Sequence, residues 1–222
     1  MKLNGRGPYL IVDPQGRSRT WLIAELDAVI GSGAKLVQLR DKSPWGSESR
    51  DFAERVLAIC RKRQVPLIIN DDPIRAQAIG ADGVHLGRSD PSIGYARGLL
   101  GEQAMIGVSA YDDLERGCAA IQAGADYVAL GSIYPSPTKP QAVRIPLDVL
   151  RSARSAMTAP ICAIGGIRPD NARAVIQAGA DWLAVLSGVW DAPDPVEAMR
   201  SLAQAFEADQ AKPWVRYPGP AG

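Results

Sequence analysis

Short apolar runs that end abruptly in polar residues recur along the chain. Four of them open with Gly-Ala and recur about every 50 residues, at 33–40, 80–87, 124–131 and 179–186. A glycine just past a helix, a short turn and then a buried strand would explain each copy. Four further apolar runs lie between them, at 9–13, 66–70, 105–109 and 160–164. The pattern predicts eight strands in four βαβα units.

The segments between these runs carry apolar residues at helical spacing. The predicted helices span 21–30, 51–64, 72–79, 92–100, 112–123, 146–157, 169–178 and 195–206. Because crossovers between parallel strands are right-handed, these units close into one α/β domain, a single (β/α)8 TIM barrel over residues 1–207. An open doubly wound sheet is the alternative, but near-equal repeats give no point at which the strand order would reverse.

Composition narrows the function little. Hydrophobic residues make up 46% and charged residues 22%, and the net charge is +1, so nothing indicates nucleic acid or a membrane surface as a partner. No run reaches membrane length and no signal segment opens the chain, which favours the cytoplasm. Cys60, Cys118 and Cys162 are predicted to be buried small hydrophobes. Residues 208–222, rich in Pro and Gly, are expected to form an irregular C-terminal tail.

Positive side chains follow the second strand. Gln38, Arg40 and Lys42 alternate at strand spacing, so their side chains leave one face together. Arg can grip a phosphate bidentately and Lys supplies a point charge. A strand that emerges into solvent with ordinary surface charges is the alternative interpretation. The carboxyl ends of barrel strands are where barrel enzymes react, which favours a phosphate site.

Acidic residues follow the next two strands. Asn70 and Asp71 end the third strand, and Asp90 follows the fourth. Magnesium takes one or two carboxylates and completes its octahedron with water and substrate phosphate, so Asp71 and Asp90 suit Mg²⁺. Helix capping by Asp71 and Asp72 is the alternative. His85, the only histidine, is either a barrel-interior residue or part of the pocket lining.

Small and hydroxyl-bearing residues follow the later strands. Ser136, Pro137, Thr138 and Lys139 lie in a proline-rich loop after the sixth strand. Gly165 and Gly166 end the seventh strand, and Leu186 and Ser187 end the eighth. Many barrels keep a phosphate site at this place, and glycine lets backbone N–H groups approach a phosphate closely. For the proline-rich loop, a merely rigid surface loop is the alternative.

Together these segments resemble the thiamine-phosphate synthase family over residues 9–206. The motifs are QLRDK at 38–42, IND at 69–71, GVHLGRSD at 83–90, PSPTKP at 135–140, AIGGI at 163–167 and AVLS at 184–187. The resemblance implies Mg²⁺-dependent coupling of a hydroxymethylpyrimidine pyrophosphate with a (carboxy)hydroxyethylthiazole phosphate. Pyrophosphate would leave dissociatively and the thiazole nitrogen would then attack. The partners so implied are these two small molecules, with a homo-oligomer as an open option.

The resemblance also implies roles for individual residues. The pyrimidine pyrophosphate would be held by Gln38, Arg40, Lys42, Asn70, Ser109 and Lys139. Asp71 and Asp90 would hold Mg²⁺. The thiazole phosphate would be held by Ser136, Thr138, Gly166, Leu186 and Ser187. Further substrate contacts would come from Leu39, Asp41 and Pro137, and catalysis would rest on Arg40, Lys42, Ser109 and Lys139.

Three other functions stay open on the sequence. A thiazole tautomerase-like protein would share the barrel without needing the full pyrophosphate and metal set, and a non-catalytic regulatory paralogue would bind without turnover. A sugar-phosphate isomerase or aldolase-like barrel would need a base or Schiff-base Lys deep in a strand, whereas Lys35 opens its strand at the far end. Family members often have Glu at the position of Asp41 and Gln at that of Arg88.

Overall fold

Eight parallel strands close into a barrel in the computed structural model, which describes residues 5–136 and 141–209. The strands are β1 Gly7–Val12, β2 Leu36–Leu39, β3 Leu67–Asn70, β4 Gly83–Leu86, β5 Met105–Tyr111, β6 Tyr127–Leu130, β7 Ile161–Ile164 and β8 Trp182–Val185. Each strand pairs with the next along the chain, and β8 pairs with β1. The predicted (β/α)8 barrel is confirmed, and the open sheet is excluded.

Helices follow the strands around the outside. They are α1 Arg19–Gly31, α2 Ser47–Arg63, α3 Pro73–Ile79, α4 Ile93–Leu100, α5 Leu114–Gln122, α6 Leu147–Ala156, α7 Pro169–Gln177, α8 Ser187–Trp190 and α9 Pro195–Glu207. The eight predicted helices are all present. No helix in the described part of the chain is both long and apolar enough to cross a membrane.

The structure departs from the sequence-based helices in two places. Helix α2 begins at Ser47 rather than at residue 51. Its first turn is polar, so the apolar periodicity on which the prediction relied does not include it. The Gly46 N–H donates to Ser49 Oγ at 2.9 Å and closes that turn. The short helix α8 was not predicted, since four residues are too few to show a helical period. The tail from residue 210 to 222 lies outside the described residues, so its irregular structure stays a prediction.

Side chains alternate between two cores. Outward-facing residues such as Leu10 and Val37 pack against the helices, whereas inward-facing residues such as Tyr9 and Ile68 fill the barrel. Cys60 and Cys162 are buried as predicted, and burial raises the pKa of the Cys60 thiol to about 12. Cys118 is only partly buried, although it packs against the outer core, so its predicted burial was wrong.

The Gly-Ala-Asp repeat has a structural reason at the amino-terminal end of the barrel. In three copies the Asp carboxylate accepts a hydrogen bond from an N–H at the start of the preceding strand. The pairs are Asp82 with Leu67 at 2.8 Å, Asp126 with Ile106 at 2.8 Å and Asp181 with Ile161 at 2.9 Å. Leu67 and Ile161 are the first residues of their strands, and Ile106 is the second. The N–H of each Asp donates back to the carbonyl of the same partner, so each Asp satisfies both backbone groups of that residue.

The first copy of the repeat has Lys35 where the others have Asp. Its register partner is Pro8, which has no N–H to donate. A carboxylate there would find no backbone donor on the neighbouring strand. The one copy without Asp is thus the copy whose partner on the preceding strand is a proline.

Replacing Asp126 with Ala should lower the free energy of unfolding by about 1–3 kcal/mol, the cost of a buried N–H left without an acceptor. Arg97 Nη2, which donates to Asp126 at 2.8 Å, would lose its charged partner and keep only the Gly124 carbonyl at 3.0 Å. Replacing the exposed Lys35 with Ala is the matched control and should cost under about 0.5 kcal/mol. Urea unfolding measures both variants, and equal losses would contradict this account of the repeat.

Candidate active site

A cavity of about 510 Å³ opens at the carboxyl ends of the strands. Eight residues predicted from the sequence line it together. They are Gln38, Arg40, Asn70, Ser109, Ser136, Gly166, Leu186 and Ser187. Because these residues come from six different strand ends and the loops after them, the closed barrel alone brings them to one place.

Two other predicted residues, Asp41 and Lys42, lie beside this cavity. They line an adjacent depression between the loops after β1 and β2. The Asp41 carboxylate accepts from Arg19 Nη2 and from the Ser43 N–H, each at 2.9 Å. Although burial opposes it, hydrogen bonds from Ser43 and Arg19 hold the pKa of Asp41 below its usual range. Asp41 thus fastens the loop that carries Lys42.

The remaining predicted substrate contacts divide into two cases. The Leu39 side chain is buried in the outer core against the helices, so only its backbone faces the mouth region. Pro137, Thr138 and Lys139 lie outside the described residues, and Ser136 is the last described residue before them. The roles of Leu39, Pro137, Thr138 and Lys139 in substrate binding stay predictions.

Arg40 is held by a residue that the sequence analysis did not assign to the site. Its guanidinium forms an ion pair with the buried carboxylate of Asp13, and its N–H donates to the Val12 carbonyl at 2.8 Å. Asp13 also accepts from the Gln15 N–H at 2.9 Å. The available signal was the position of Asp13 at the carboxyl end of the first apolar run. The end of β1 thereby fixes the direction of the main cation in the cavity.

A second cation, Arg88, also lines the cavity. Its guanidinium carbon lies 5.3 Å from the centroid of the Tyr111 ring, and its N–H donates to the Tyr111 hydroxyl at 3.3 Å. Tyr111 lines the same cavity. Arg88, one of the two departures from the family pattern named above, therefore adds positive charge to the mouth and lies against an aromatic ring.

The two candidate metal ligands are in contact. Asp71 ends β3 with φ 67°, a left-handed conformation that Asp tolerates, and its N–H donates to the His85 carbonyl at 2.7 Å. Its carboxyl group lies beside that of Asp90, and Lys42 forms an ion pair with it. The Gly87 N–H donates to Asp90 Oδ2 at 2.6 Å. Neighbouring loops thus bring two carboxyl groups together.

Burial, and then the hydrogen bond and charge of Asp71, raise the pKa of Asp90. Two carboxylates side by side repel each other unless a cation lies beside them, and Lys42 supplies one such charge. In the described part of the chain no group of three or more His, Cys, Asp or Glu side chains could hold a metal. The pair therefore fits an ion that takes its other ligands from water and substrate, as Mg²⁺ does.

Asp72 has a different task from its neighbour. Its carboxylate accepts from the N–H groups of Ile74 and Arg75 at 2.9 and 3.0 Å and caps helix α3. Helix capping, considered for both aspartates from the sequence, holds for Asp72, whereas Asp71 turns toward Lys42 and Asp90.

A chain of buried polar side chains forms the floor of the cavity. Gln38 Nε2 donates to the Tyr9 hydroxyl at 2.7 Å, and the Tyr9 and Tyr127 hydroxyls lie 2.9 Å apart. Tyr127 contacts His85 Nδ1 at 3.0 Å, and His85 Nε2 contacts Ser109 Oγ at 2.9 Å. Burial raises the pKa of both tyrosines well above the usual range, so they stay phenols. Both alternatives for His85 hold, since it is interior and lines the cavity.

The sequence analysis missed Tyr9 and Tyr127, although strand alternation places them on the same inward face as Gln38 and His85. The Tyr127 ring fits because Gly107 lies opposite it. A Cβ atom at Gly107 would come within 2.0 Å of the Tyr127 ring. Glycine at this strand position thus makes room for an aromatic ring in the barrel interior.

The opposite wall of the cavity is built from glycine and a short helix. A Cβ atom at Gly165 would lie 2.0 Å from Ser132 Oγ, and one at Gly166 would lie 2.3 Å from the Pro135 carbonyl oxygen. Both glycines therefore let the loop after β6 pack on the end of β7. Helix α8 starts at Ser187 and is held by its Trp190 indole, which donates to the Ile11 carbonyl at 2.7 Å. The first N–H groups of such a helix have no acceptor within it.

Comparison with known proteins gives consistent matches. The family described as thiamine monophosphate synthase matches residues 8–189. A thiamine-phosphate synthase from Azoarcus sp. is 49% identical over 201 residues, which are 90% of this chain and 97% of that protein. One from Thioalkalivibrio sulfidiphilus is 46% identical over 202 residues, 91% of this chain and 96% of that protein. The solved thiamine phosphate pyrophosphorylase from Pyrococcus furiosus has a TM-score of 0.83 at 31% identity and covers 92% of this chain and 97% of its own.

The carboxyl pair can be tested without any substrate. Asp71→Asn should weaken Mn²⁺ binding in the presence of inorganic pyrophosphate at least about tenfold, because one of the two carboxylates that the protein offers loses its charge. Asp72→Asn is the matched control, since Asn caps a helix as well as Asp does. Electron paramagnetic resonance titration of free Mn²⁺ measures both. Equal affinity of the two variants would remove Asp71 from the metal site.

Proposed function

This chain belongs to the thiamine-phosphate synthase family. We propose that it couples a hydroxymethylpyrimidine pyrophosphate to a hydroxyethylthiazole phosphate, or to the carboxylated form of that thiazole. The products are thiamine phosphate and pyrophosphate. The observation that carries this proposal is the convergence of eight predicted residues on one cavity beside a carboxyl pair. The comparisons give no support to a tautomerase-like or regulatory role. We also propose a cytoplasmic location.

The pyrophosphate of the pyrimidine substrate lies on the side of β2 and β3 in this proposal. Arg40, already directed by Asp13, binds it as a bidentate donor, and Lys42 and Lys139 add point charges. Asn70 and Gln38 hold the rest of the molecule. The family is metal-dependent in general, and we assign Mg²⁺ to Asp71 and Asp90. When bound, Mg²⁺ would neutralise part of the charge on the departing pyrophosphate.

The reaction needs two bond changes. The bond between the exocyclic carbon of the pyrimidine and the pyrophosphate oxygen breaks, and the electron pair leaves with the oxygen. The electron-rich aminopyrimidine stabilises the resulting cation, and the lone pair of the thiazole nitrogen then forms the new C–N bond. Carbon dioxide is lost in addition when the thiazole is carboxylated. Neither bond change requires an enzymic nucleophile or base, so positioning and electrostatics supply the catalysis.

The thiazole phosphate lies on the opposite side in this proposal. Backbone N–H groups near Gly166 and Ser187 would donate to it, with the hydroxyls of Ser136, Thr138 and Ser187 and the backbone of Leu186 around it. Barrels commonly bind phosphate after their last two strands, next to a short extra helix. The thiazole nitrogen then faces the carbon that loses pyrophosphate.

The decisive experiment is a coupling assay with both phosphorylated halves, with and without Mg²⁺. Formation of thiamine phosphate that stops in EDTA is the expected result. Binding of both halves without any product would replace this proposal with the regulatory alternative.

Arg40→Ala should lower kcat/KM for the pyrimidine pyrophosphate by about 10²-fold, the scale for the loss of one preorganised charge stabiliser. Arg50→Ala is the control, because Arg50 lies on α2 in an exposed pair with Glu54, away from the mouth. Steady-state kinetics with the thiazole phosphate at saturation separates the two variants. Normal turnover by Arg40→Ala would mean that the pyrophosphate is held elsewhere.

Ser187→Ala should raise KM for the thiazole phosphate about tenfold and leave KM for the pyrimidine substrate unchanged, because one hydroxyl donor to the phosphate is removed. Ser155→Ala, on the exposed side of α6, is the matched control. Separate titration of each substrate gives both KM values. A loss confined to the pyrimidine would show that the two subsites are exchanged.

A further inference from the structure

The hydrogen-bonded chain under the cavity runs without interruption from Gln38 through Tyr9, Tyr127 and His85 to Ser109. Both end residues line the cavity. The tyrosines between them are fully enclosed, with 1% of Tyr9 and none of Tyr127 exposed. Every proton in such a chain must find an acceptor, because a buried hydroxyl without one is costly. This requirement fixes the direction of each hydrogen bond.

The direction is set at the Gln38 end. Its Nε2 can only donate, so the Tyr9 oxygen accepts from it at 2.7 Å. If Tyr127 also donated to Tyr9, the Tyr9 proton would have no acceptor among the hydrogen bonds of residues 5–136 and 141–209. Tyr9 therefore donates to Tyr127.

The same requirement carries the direction to the other end. Tyr127 has its own proton left to donate, and His85 Nδ1 accepts it. A neutral imidazole carries a single N–H, which must then be on Nε2 and donate to Ser109 Oγ. Since Ser109 accepts from His85, the Ser109 proton is left to donate to a ligand. At the first end, Gln38 Oε1 is the amide atom that the chain does not use, and it can only accept.

We propose that Tyr9, Tyr127 and His85 are positioning residues whose aligned hydrogen bonds make Ser109 a donor and Gln38 an acceptor toward the pyrimidine, so that the cavity selects a 4-amino over a 4-oxo ring. This inference rests on the proposed function. An aminopyrimidine offers a ring nitrogen that accepts and an amino group that donates, which complements both ends. The oxo analogue carries a ring N–H and a carbonyl oxygen, so both complementary contacts are lost. A site built to hydrogen-bond one partner rejects the mismatched one because its polar groups are left unpaired.

The direction can be read in the wild-type chain without substrate. His85 is the only histidine of the sequence, so ¹⁵N NMR of the imidazole in a chain without a histidine tag reports one residue. The expected spectrum at neutral pH is that of the neutral tautomer with the proton on Nε2. A proton on Nδ1, or on both nitrogens, would overturn the proposal.

The consequence for specificity is tested with Tyr127→Phe, which keeps the ring in the space opposite Gly107 and removes only the hydroxyl. The ratio of kcat/KM for the amino over the oxo pyrimidine pyrophosphate should fall at least about tenfold, while KM for the thiazole phosphate stays unchanged. Tyr95→Phe makes the same chemical change on the exposed side of α4 and should leave the ratio unaltered.

An unchanged ratio in Tyr127→Phe, or an equal loss for both pyrimidines, would contradict the positioning role. The melting temperature of each variant shows whether the barrel is intact. A wild-type chain that couples neither pyrimidine would contradict the proposed function instead, and the His85 tautomer alone would then decide the direction of the chain.

Discussion

Closure of the eight strands imposes one constraint on everything else in this molecule. Side chains alternate along each strand, so every second residue enters a single shared interior, and a cavity opens from it at the carboxyl ends of the strands. Apolar residues such as Ile68 and Met105 fill part of this interior. The buried polar residues at the floor of the cavity satisfy one another. The chain from Gln38 to Ser109 is the result, and it gives the cavity a polar floor of fixed direction.

The closed barrel also places residues that stabilise the fold at one end of its axis and candidate functional residues at the other. At the amino-terminal end, Asp82, Asp126 and Asp181 are used up by backbone N–H groups of neighbouring strands. At the carboxyl end, Asp71 and Asp90 lie side by side, with Lys42 paired to Asp71 and the Gly87 N–H donating to Asp90. The charge of Asp71 adds to burial in raising the pKa of Asp90. Aspartates at the two ends of the barrel thus have different functions, since those at the amino-terminal end stabilise strands and those at the carboxyl end face the mouth. The unfavourable proximity of Asp71 and Asp90 lies where a bound cation can compensate it.

The barrel could be predicted from the sequence because the Gly-Ala repeat and the apolar runs are local signals. The cavity followed from the same logic, since residues that end parallel strands must share one edge. Contacts that depend on the register between strands could not be predicted from the sequence. The pairing of Arg40 with Asp13, and the meeting of Tyr9 with Tyr127, join residues far apart in sequence whose relative height is set only by the closed barrel. Asp41 was assigned to substrate on the family resemblance, and nothing local indicated its partner Arg19.

The charges at the mouth are paired in a way that suits exchange of partners. Lys42 pairs with Asp71, and about half of the Lys42 side chain is exposed, so the pair contributes little to stability. Under the proposed function, a cation bound to Asp71 and Asp90 would compete with Lys42 for the same carboxylate. The released ammonium group would then be available to the pyrophosphate on the same side of the mouth. Arg40 differs, because its partner Asp13 is buried and is no candidate metal ligand, so its direction persists whether or not a ligand is bound. One cation would thus be fixed and the other exchangeable, which couples metal binding to the binding of the leaving group.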